Sequence, residues 1–393
     1  MRLRLGMPLI HNPQFFTRDS ILDSSTKYNF VNPLAVEMFI WDCEIAAQLE
    51  NADARMILKG GAAAQLLLPP EKQRGSVDID MVATGAISEG DISDLILKVT
   101  RTVPSIKFSP YEPVEPNPRL PLVTYYAEMP SALQGPMKRK NLEIKADILL
   151  ADAGLPTTET SNVKTFALEV LRMRIPTRGS CIGDKLLTLA KGSIGMTREE
   201  DYPKQMYDID LLSQEMSTSV FADIVDAIRK LTPLEASYRG LYTKPTEAIR
   251  DVLKVTSRYA ALDTIIVNSD DKKRVEAFQQ FFVSRSQRLP LFEWASRALR
   301  IRFIARLVDM TLSGRMRVDE AVANIVKARR LATSTESIQG SEIDRTRMEL
   351  LKMITEKTPY LKELKGKHLS RVFWETATPD NLDKVESLLA KVS

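Results

Sequence analysis

The sequence changes its hydrophobic period once, at roughly residue 180, and that change limits the folds open to it. Before it, helical and alternating stretches intermix. Val36, Phe39, Ile40, Cys43, Ala46 and Leu49 recur at helical spacing in Pro33 to Glu50. The short apolar run Met56-Ile57-Leu58 ends in Lys59-Gly60-Gly61 and reads as a buried strand closed by a tight turn. Ala62 to Leu68 is a helix stopped by Pro69-Pro70. Val77 to Ala83 alternates as a strand does, and Ser88-Glu89-Gly90-Asp91 opens a helix whose apolar face is Ile92, Leu95, Ile96 and Val99. Residues 104–121 are rich in proline and read as a loop. Leu122 to Met129 and Leu142 to Leu150 read as strands joined by the basic loop Met137-Lys138-Arg139-Lys140.

Beyond this point only helical spacing is found, in Ile182 to Lys191, Asp208 to Gln214, Phe221 to Leu231, Leu291 to Leu312, Asp319 to Leu331, Glu342 to Glu356 and Asp380 to Val392. Residues 332–342 are polar and read as a loop. No internal repeat is visible. A mixed front followed by a helical back predicts an α+β chain of two domains, residues 1–214 and 215–393.

Composition removes several function classes. With 2 cysteines and 2 histidines, neither a disulfide framework, a zinc cluster nor a Ser-His-Asp triad is expected. No apolar run is long enough to span a bilayer, and Met1 to Arg18 lacks the features of a signal peptide, so a reducing cytoplasm is the expected location. Residues 1–250 are acidic by about three charges and residues 251–393 basic by about seven. That asymmetry suits a metal site in the front and an anionic partner in the back, and equally a solvated helical surface.

Four features carry chemistry. The Gly60-Gly61 turn lets backbone approach a phosphate, with the free N–H groups of a helix start behind it. Asp78 and Asp80 stand two apart on a strand and so share a face, where both carboxylates can meet a hard cation such as Mg2+ or Mn2+. Asp147 interrupts the apolar run Ile144-Lys145-Ala146-Asp147-Ile148-Leu149-Leu150. It is either a third metal ligand, a general base, or a surface aspartate on the strand's polar face. Lys185, on the helix Asp184-Lys185-Leu186-Leu187, has the charge to hold a triphosphate or is a solvated helix residue.

The stretch from Lys59-Gly60-Gly61 through Arg74-Gly75-Ser76-Val77-Asp78-Ile79-Asp80 resembles the first motif of AbiEii-type nucleotidyltransferase toxins. Asp184-Lys185-Leu186 and Tyr207-Asp208-Ile209-Asp210-Leu211-Leu212 are similar to that family's motif lysine and its closing element. The resemblance covers about residues 56–212. It implies a polymerase-beta-like nucleotidyltransferase core with a mixed sheet and an all-helical C-terminal domain. It also implies an NTP substrate, and the expected mechanism is two-metal transfer, with the metals on Asp78 and Asp80 and the second of them also held by Asp147. Asp78, Asp80, Asp147, Lys185 and Asp208 would then be catalytic, and Gly60, Gly61, Arg74, Ser76, Lys185 and Lys191 would hold the nucleotide. The implied role is that of a toxin with a cognate antitoxin, acting on RNA, transfer RNA above all. Ala62, Ala190, Lys191 and Gln205 depart from the family's pattern and bear on nucleotide choice. Two other functions stay open on the residues alone, nucleotidylation of a protein hydroxyl and binding of nucleotide or RNA without transfer. For an acceptor in the back half, Trp294, Arg297, Arg300, Arg302 and Arg306 are the candidates.

Overall fold

The computed structural model describes residues 9–112, 117, 119–133, 141–354 and 358–391. The basic loop at 137–140 and the end of the helix expected at 342–356 lie outside the described residues. The chain forms two compact units. The first contains residues 1–181, 234–241 and 277–288, and the second residues 182–233, 242–276 and 289–393. Residues 182–214, which the sequence reading grouped with the front, are thus part of the second unit.

In the first unit, α1 (Arg18–Lys27) and α2 (Pro33–Ala52) precede β1 (Met56–Lys59), α3 (Gly60–Leu66), β2 (Asp78–Ala83) and α4 (Glu89–Thr102). Then come β3 (Lys107–Pro110), β4 (Leu122–Pro130), β5 (Asn141–Leu149) and the hairpin β6 (Thr157–Lys164) and β7 (Glu169–Pro176). Five strands form a mixed sheet in the order β1-β2-β5-β4-β3, with β2 and β5 parallel and the other neighbours antiparallel. Along β2, Ile79, Met81 and Ala83 are buried while Asp78 is exposed and Asp80 half-buried, so one face is covered and the other is polar. The covered face packs with Val36, Phe39, Ile40 and Cys43 of α2 and with Ile92, Leu95, Ile96 and Val99 of α4 in one hydrophobic core. Ser88 opens α4 through the reciprocal capping box with Asp91 that its sequence announced. Cys43 and Cys181 are both buried free thiols.

Three local expectations change. The proline-rich stretch 104–121 contains the edge strand β3, whose Pro110 is its last residue, where the missing N–H costs the ladder least. The β6–β7 hairpin had no clear alternation to reveal it, because β6 exposes nearly all its side chains. The polar stretch at 332–342 begins as helix rather than loop.

The second unit is helical among the described residues. The helices are α5 (Arg178–Thr188, whose first residues belong to the first unit), α6 (Tyr202–Leu212), α7 (Thr218–Tyr238, whose last residues belong to the first unit), α8 (Pro245–Tyr259), α9 (Ser269–Phe282, whose last residues do likewise), α10 (Leu291–Leu312), α11 (Val318–Glu336), α12 (Ser341–Lys352), α13 (Leu369–Thr376) and α14 (Leu382–Leu389). Polar residues 332–336 thus extend α11 by more than a turn. No helix among the described residues is long and apolar enough to cross a membrane.

The centre of this unit is ionic as well as apolar. Arg297 of α10 donates from Nε to Asp210 Oδ2 at 2.9 Å, and Arg300 grips the same carboxylate through Nε at 2.6 Å and Nη2 at 2.7 Å. The Arg297 guanidinium also lies 4.5 Å from the Trp294 ring and 4.8 Å from that of Tyr207. Burial alone pushes the Asp210 carboxyl up, but Arg300 and Arg297 hold it far below the usual range. Arg302 donates to Glu375 Oε1 at 3.0 Å. Trp294, Arg297, Arg300 and Arg302 therefore do not form the phosphate-receiving stripe that their spacing suggested. Trp294, Arg297 and Arg302 are buried, and the three arginines serve as counter-ions joining α10 to α6 and α13.

A second ionic cluster surrounds Glu199, which Arg258 meets at 3.1 Å, Arg274 at 2.9 Å and Lys191 in an ion pair. Burial pushes the Glu199 carboxyl up, yet Lys191 and Arg258 bring it down from 4.5 to about 2. A carboxyl depressed in the folded state adds stability that is complete above its unfolded value and lost as pH falls through the folded one. Glu199→Gln should therefore be less stable than wild type at neutral pH, and its stability should fall less between pH 4.5 and about 2. Denaturant titrations across that window check this, and parallel pH profiles for the two proteins would refute it.

Candidate active site

Strand register assembles the carboxylates. The parallel pairing of β2 with β5 sets Asp80 opposite Asp147 and Asp78 opposite Lys145. Across the outer ladders, Lys59 of β1 stands beside Asp80 and Thr124 of β4 beside Asp147. Side chains directly opposite in a sheet share a face, so Lys59, Asp80, Asp147 and Thr124 form one row and Asp78 and Lys145 the next. The structure thus brings Asp78, Asp80 and Asp147 onto one polar face. Asp147 accepts from the Thr124 hydroxyl through Oδ1 at 2.6 Å and from Lys145 Nζ through Oδ2 at 2.8 Å.

The glycine turn lies against this face. Gly60 has φ of +70°, and a Cβ built there would come within 1.9 Å of Asp80 Oδ2. Only glycine allows both that backbone conformation and that approach. At Gly61 a Cβ would come within 3.1 Å of Ser76 Oγ and 3.2 Å of Arg74 Nη2. Helix α3 begins at Gly60 itself, two residues before the expected start. The stretch leading into β2 is fixed from several sides. Gln65 of α3 accepts from the Arg74 amide at 2.9 Å, Arg74 Nη1 donates to the Gly75 carbonyl at 2.7 Å, and the Gly75 amide donates to the Phe282 carbonyl at 2.8 Å. Arg74 and Ser76 are both buried. Their positions brace the glycine turn from below rather than facing solvent.

Beneath the site is a carboxyl that sequence reasoning passed over. Asp42 of α2 is fully buried, and its two oxygens have no hydrogen-bond partner of ordinary geometry. Burial first, and then Asp78, pushes its carboxyl well above the usual range, with Asp80 adding to the effect and Ser76 and Arg74 opposing it. The available signal was a charge at the centre of a helix whose neighbours Phe39, Cys43 and Ala46 are apolar. Lys145 was missed too, although it shares the strand face of Asp147 by the same two-residue spacing that identified Asp78 and Asp80.

The later motif residues lie in the helical unit. Lys185 is buried, with Nζ 2.8 Å from Asp208 Oδ2 and donating to Gln205 Oε1 at 3.2 Å. The structure thus joins Lys185 to Asp208, and it gives Gln205, one of the departures from the family pattern, a neutral contact with the same ammonium. Lys191, just past α5, is half exposed and paired with Glu199.

The donor chemistry of the front face fits a hard divalent cation. Asp78 and Asp80 share the face, no side chain stands at Gly60, and Asp42 feels both charges from below. A carboxylate pair of this kind beside a glycine turn is the arrangement of a nucleotidyltransferase, and comparison with known proteins reaches the same class. The family model for the nucleotidyl transferase AbiEii toxin of type IV toxin–antitoxin systems matches residues 45–298, more than half of the chain. The chain belongs to that family and is a nucleotidyltransferase toxin, which implies an antitoxin partner. No curated protein matches it. Among solved structures, a protein from H. pylori assigned as a nucleotidyltransferase is 14% identical with a TM-score of 0.41, over 72% of this chain and 97% of the other. JHP933 from Helicobacter pylori is 15% identical with a TM-score of 0.37, over 72% and 95%. An antigenic nucleotidyltransferase-like protein from Paracoccidioides brasiliensis is 12% identical with a TM-score of 0.32, over 53% and 94%.

Two predictions follow from these contacts. Gly60→Ala should keep the protein folded but lower transfer by about 10²-fold, because the added methyl must displace the Asp80 carboxylate. Wild-type rates in a folded Gly60→Ala protein would show that this close approach has no bearing on the chemistry. Removing one partner of the buried Lys185–Asp208 pair leaves the other charge unbalanced. Lys185→Met and Asp208→Leu should each cost about 3–5 kcal/mol of stability, and the double variant much less than their sum. A denaturation cycle measures the coupling, and simple additivity would mean the pair is not energetically linked.

Proposed function

We propose that the chain transfers an NMP from an NTP to an RNA acceptor, transfer RNA above all, with Asp78 and Asp80 holding the catalytic cation. The observation that carries this reading is the shared face of Asp78, Asp80 and Asp147 against the side-chain-free Gly60. A divalent cation, Mg2+ or Mn2+, supplies charge neutralisation to the triphosphate and the departing pyrophosphate when bound there. Gly60 and Gly61 leave room for the triphosphate tail, and buried Arg74 and Ser76 keep the turn in shape. Asp147 accepts the proton of the attacking hydroxyl as its oxygen bonds to the α-phosphorus and the bond to the bridging oxygen breaks. Lys185, Asp208 and Lys191 are proposed for the nucleotide by their match to the family's later motifs. The basic surplus of residues 251–393 supports a polyanionic acceptor. Lys254, Lys273, Arg317 and Arg345 are exposed, each beside an acidic neighbour, whereas Arg297 and Arg302 do not face solvent.

The test is incubation of the purified protein with labelled NTP, a divalent cation, and total RNA or a protein extract. Label on RNA supports the reading. Label on protein would replace it with nucleotidylation of a hydroxyl side chain, and no label with any of the four NTPs would leave binding alone. Asp80→Ala should bring transfer to background and relieve growth inhibition without unfolding. The Asp78→Ala/Asp80→Ala double variant should be scarcely worse, since members of one catalytic unit are strongly non-additive.

A further inference from the structure

The polar face of the sheet ends in two tyrosines that the reaction above leaves without a role. Along the row through the carboxylates, Lys59 of β1, Asp80, Asp147 and Thr124 of β4 stand side by side. Tyr111, just past β3, continues that row, its amide donating to the Thr124 carbonyl at 2.9 Å. Tyr126 of β4 stands between Lys145 and Ser109 of β3 in the neighbouring row. The two rings meet edge to face, 5.4 Å apart between centres and 79° between planes. The Lys145 ammonium is 2.8 Å from Asp147 Oδ2 and 5.9 Å from the Tyr111 ring centre, so one lysine links the aromatic pair to the carboxylate. Tyr125, on the opposite face, is buried in the core. Tyr111 is 37% exposed, and Tyr126 is half-buried. Ring surface left in water beside three carboxylates is open to a flat partner.

We propose that Tyr111, with Tyr126 packed against it, is the platform on which the unpaired base of the acceptor RNA's terminal nucleotide stacks. This rests on the RNA-acceptor reading above and names the contact by which that site holds its acceptor. Position separates the acceptor from the NTP. Gly60 and Gly61, where the triphosphate is proposed to lie, follow β1 at one end of the row, and Tyr111 follows β3 at the other. Asp147, the proposed base for the attacking hydroxyl, stands between them. Two strand spacings, roughly 10 Å, separate Asp147 from Tyr111, which is the scale of a single nucleotide. Charge explains why the contact is a ring. The face is rich in carboxylates, Asp78, Asp80 and Asp147 with Glu128 and Glu143 paired in the next row, so phosphate contacts are a poor means of holding RNA there. An uncharged stack does not meet that repulsion. Unpaired bases stack on aromatic side chains whatever their sequence, since each has a π-face.

The experiment measures binding of a short single-stranded RNA with a 5′ fluorophore to the full chain by anisotropy, without NTP. One RNA carries all its bases, and a second lacks only its 3′-terminal base. For wild type, loss of that base is expected to weaken binding about 10-fold. Tyr111→Phe, which keeps the ring, should show the same ratio. Tyr111→Ala should bind the complete RNA about 10-fold more weakly than wild type and should hardly distinguish the two RNAs, because both deletions remove the same stack. Wild type that binds both RNAs equally would overturn the proposal, as would a folded Tyr111→Ala protein that keeps the full ratio. Turnover of labelled NTP keeps the two readings apart. A rise in the KM for RNA in Tyr111→Ala, with the KM for NTP unchanged, supports the acceptor stack. A rise in the KM for NTP alone overturns it in favour of a stack on the incoming base. If wild type discriminates the terminal base yet transfers no label to RNA, the stack is supported and the transfer reading falls. Should Tyr111→Ala not fold, as judged by thermal melting, the two RNAs on wild type and on Tyr111→Leu decide by the same ratios.

Discussion

The in-register pairing of β2 with β5 is the constraint on which the front unit depends. Five consecutive residue pairs, from Asp78 with Lys145 to Val82 with Leu149, run parallel through the middle of the sheet. A slip of one residue would turn Ile79 and Met81 outward and bury Asp78 and Asp80 without partners. The apolar residues therefore fix the register that aligns the acidic ones. Ile79, Met81, Ala146 and Ile148 must all meet the α2 and α4 face, and satisfying that requirement sets Asp80 beside Asp147. Core formation and site assembly are here one event.

The helical unit solves a different problem. α10 is buried on nearly all sides, so its charged residues cannot be left to water. Arg297, Arg300 and Arg302 are tolerated there because each has a fixed acidic counterpart, Asp210 for the first two and Glu375 for the third. Arg371 and the Tyr360 hydroxyl meet Glu375 as well, so one carboxylate there collects three donors. Such networks specify how helices pair more than they add to net stability. They also explain the missing amphipathic signature of α10. Its polar residues are interior, and reading them as a surface stripe was a misassignment of burial rather than of helix.

The sequence made the main divisions legible. The Gly60-Gly61 turn, the Asp78-Ile79-Asp80 strand, the capping box at Ser88 and the switch to helix near residue 180 all depend on local rules, and local rules survive folding. What escaped it depends on distant partners. The β6–β7 hairpin is held by its own ladder and exposes most of β6, so it had no burial pattern to show. Lys145 shares a strand face with Asp147 by local spacing, but its place opposite Asp78 is set by register. Lys185 has the sequence of a solvated helix residue, yet it is buried because Asp208, 23 residues later and one helix on, neutralises it. Arg74 and Ser76 lie in a motif whose chemistry draws attention outward, and the structure instead uses them inward, under the glycine turn.

Charge balance ties these pieces together. Three carboxylates on one face and a fourth beneath it would repel one another strongly if all were ionised and unpaired. Two of the four are dealt with by the protein itself. Asp42 is driven toward its neutral form by burial and by the charges above it, and Asp147 is held by Lys145 and Thr124. Asp42 costs less buried as a neutral acid than as an anion, although its oxygens still lack hydrogen-bond partners of ordinary geometry. Burial is the main cause of that upward shift, and Asp78 and then Asp80 add to it. Asp78 and Asp80 stand next to Gly60, where the backbone approaches closely and no Cβ intrudes. A cation arriving there meets localised charge rather than a diffuse acidic surface, and a triphosphate arriving with it meets the glycine turn.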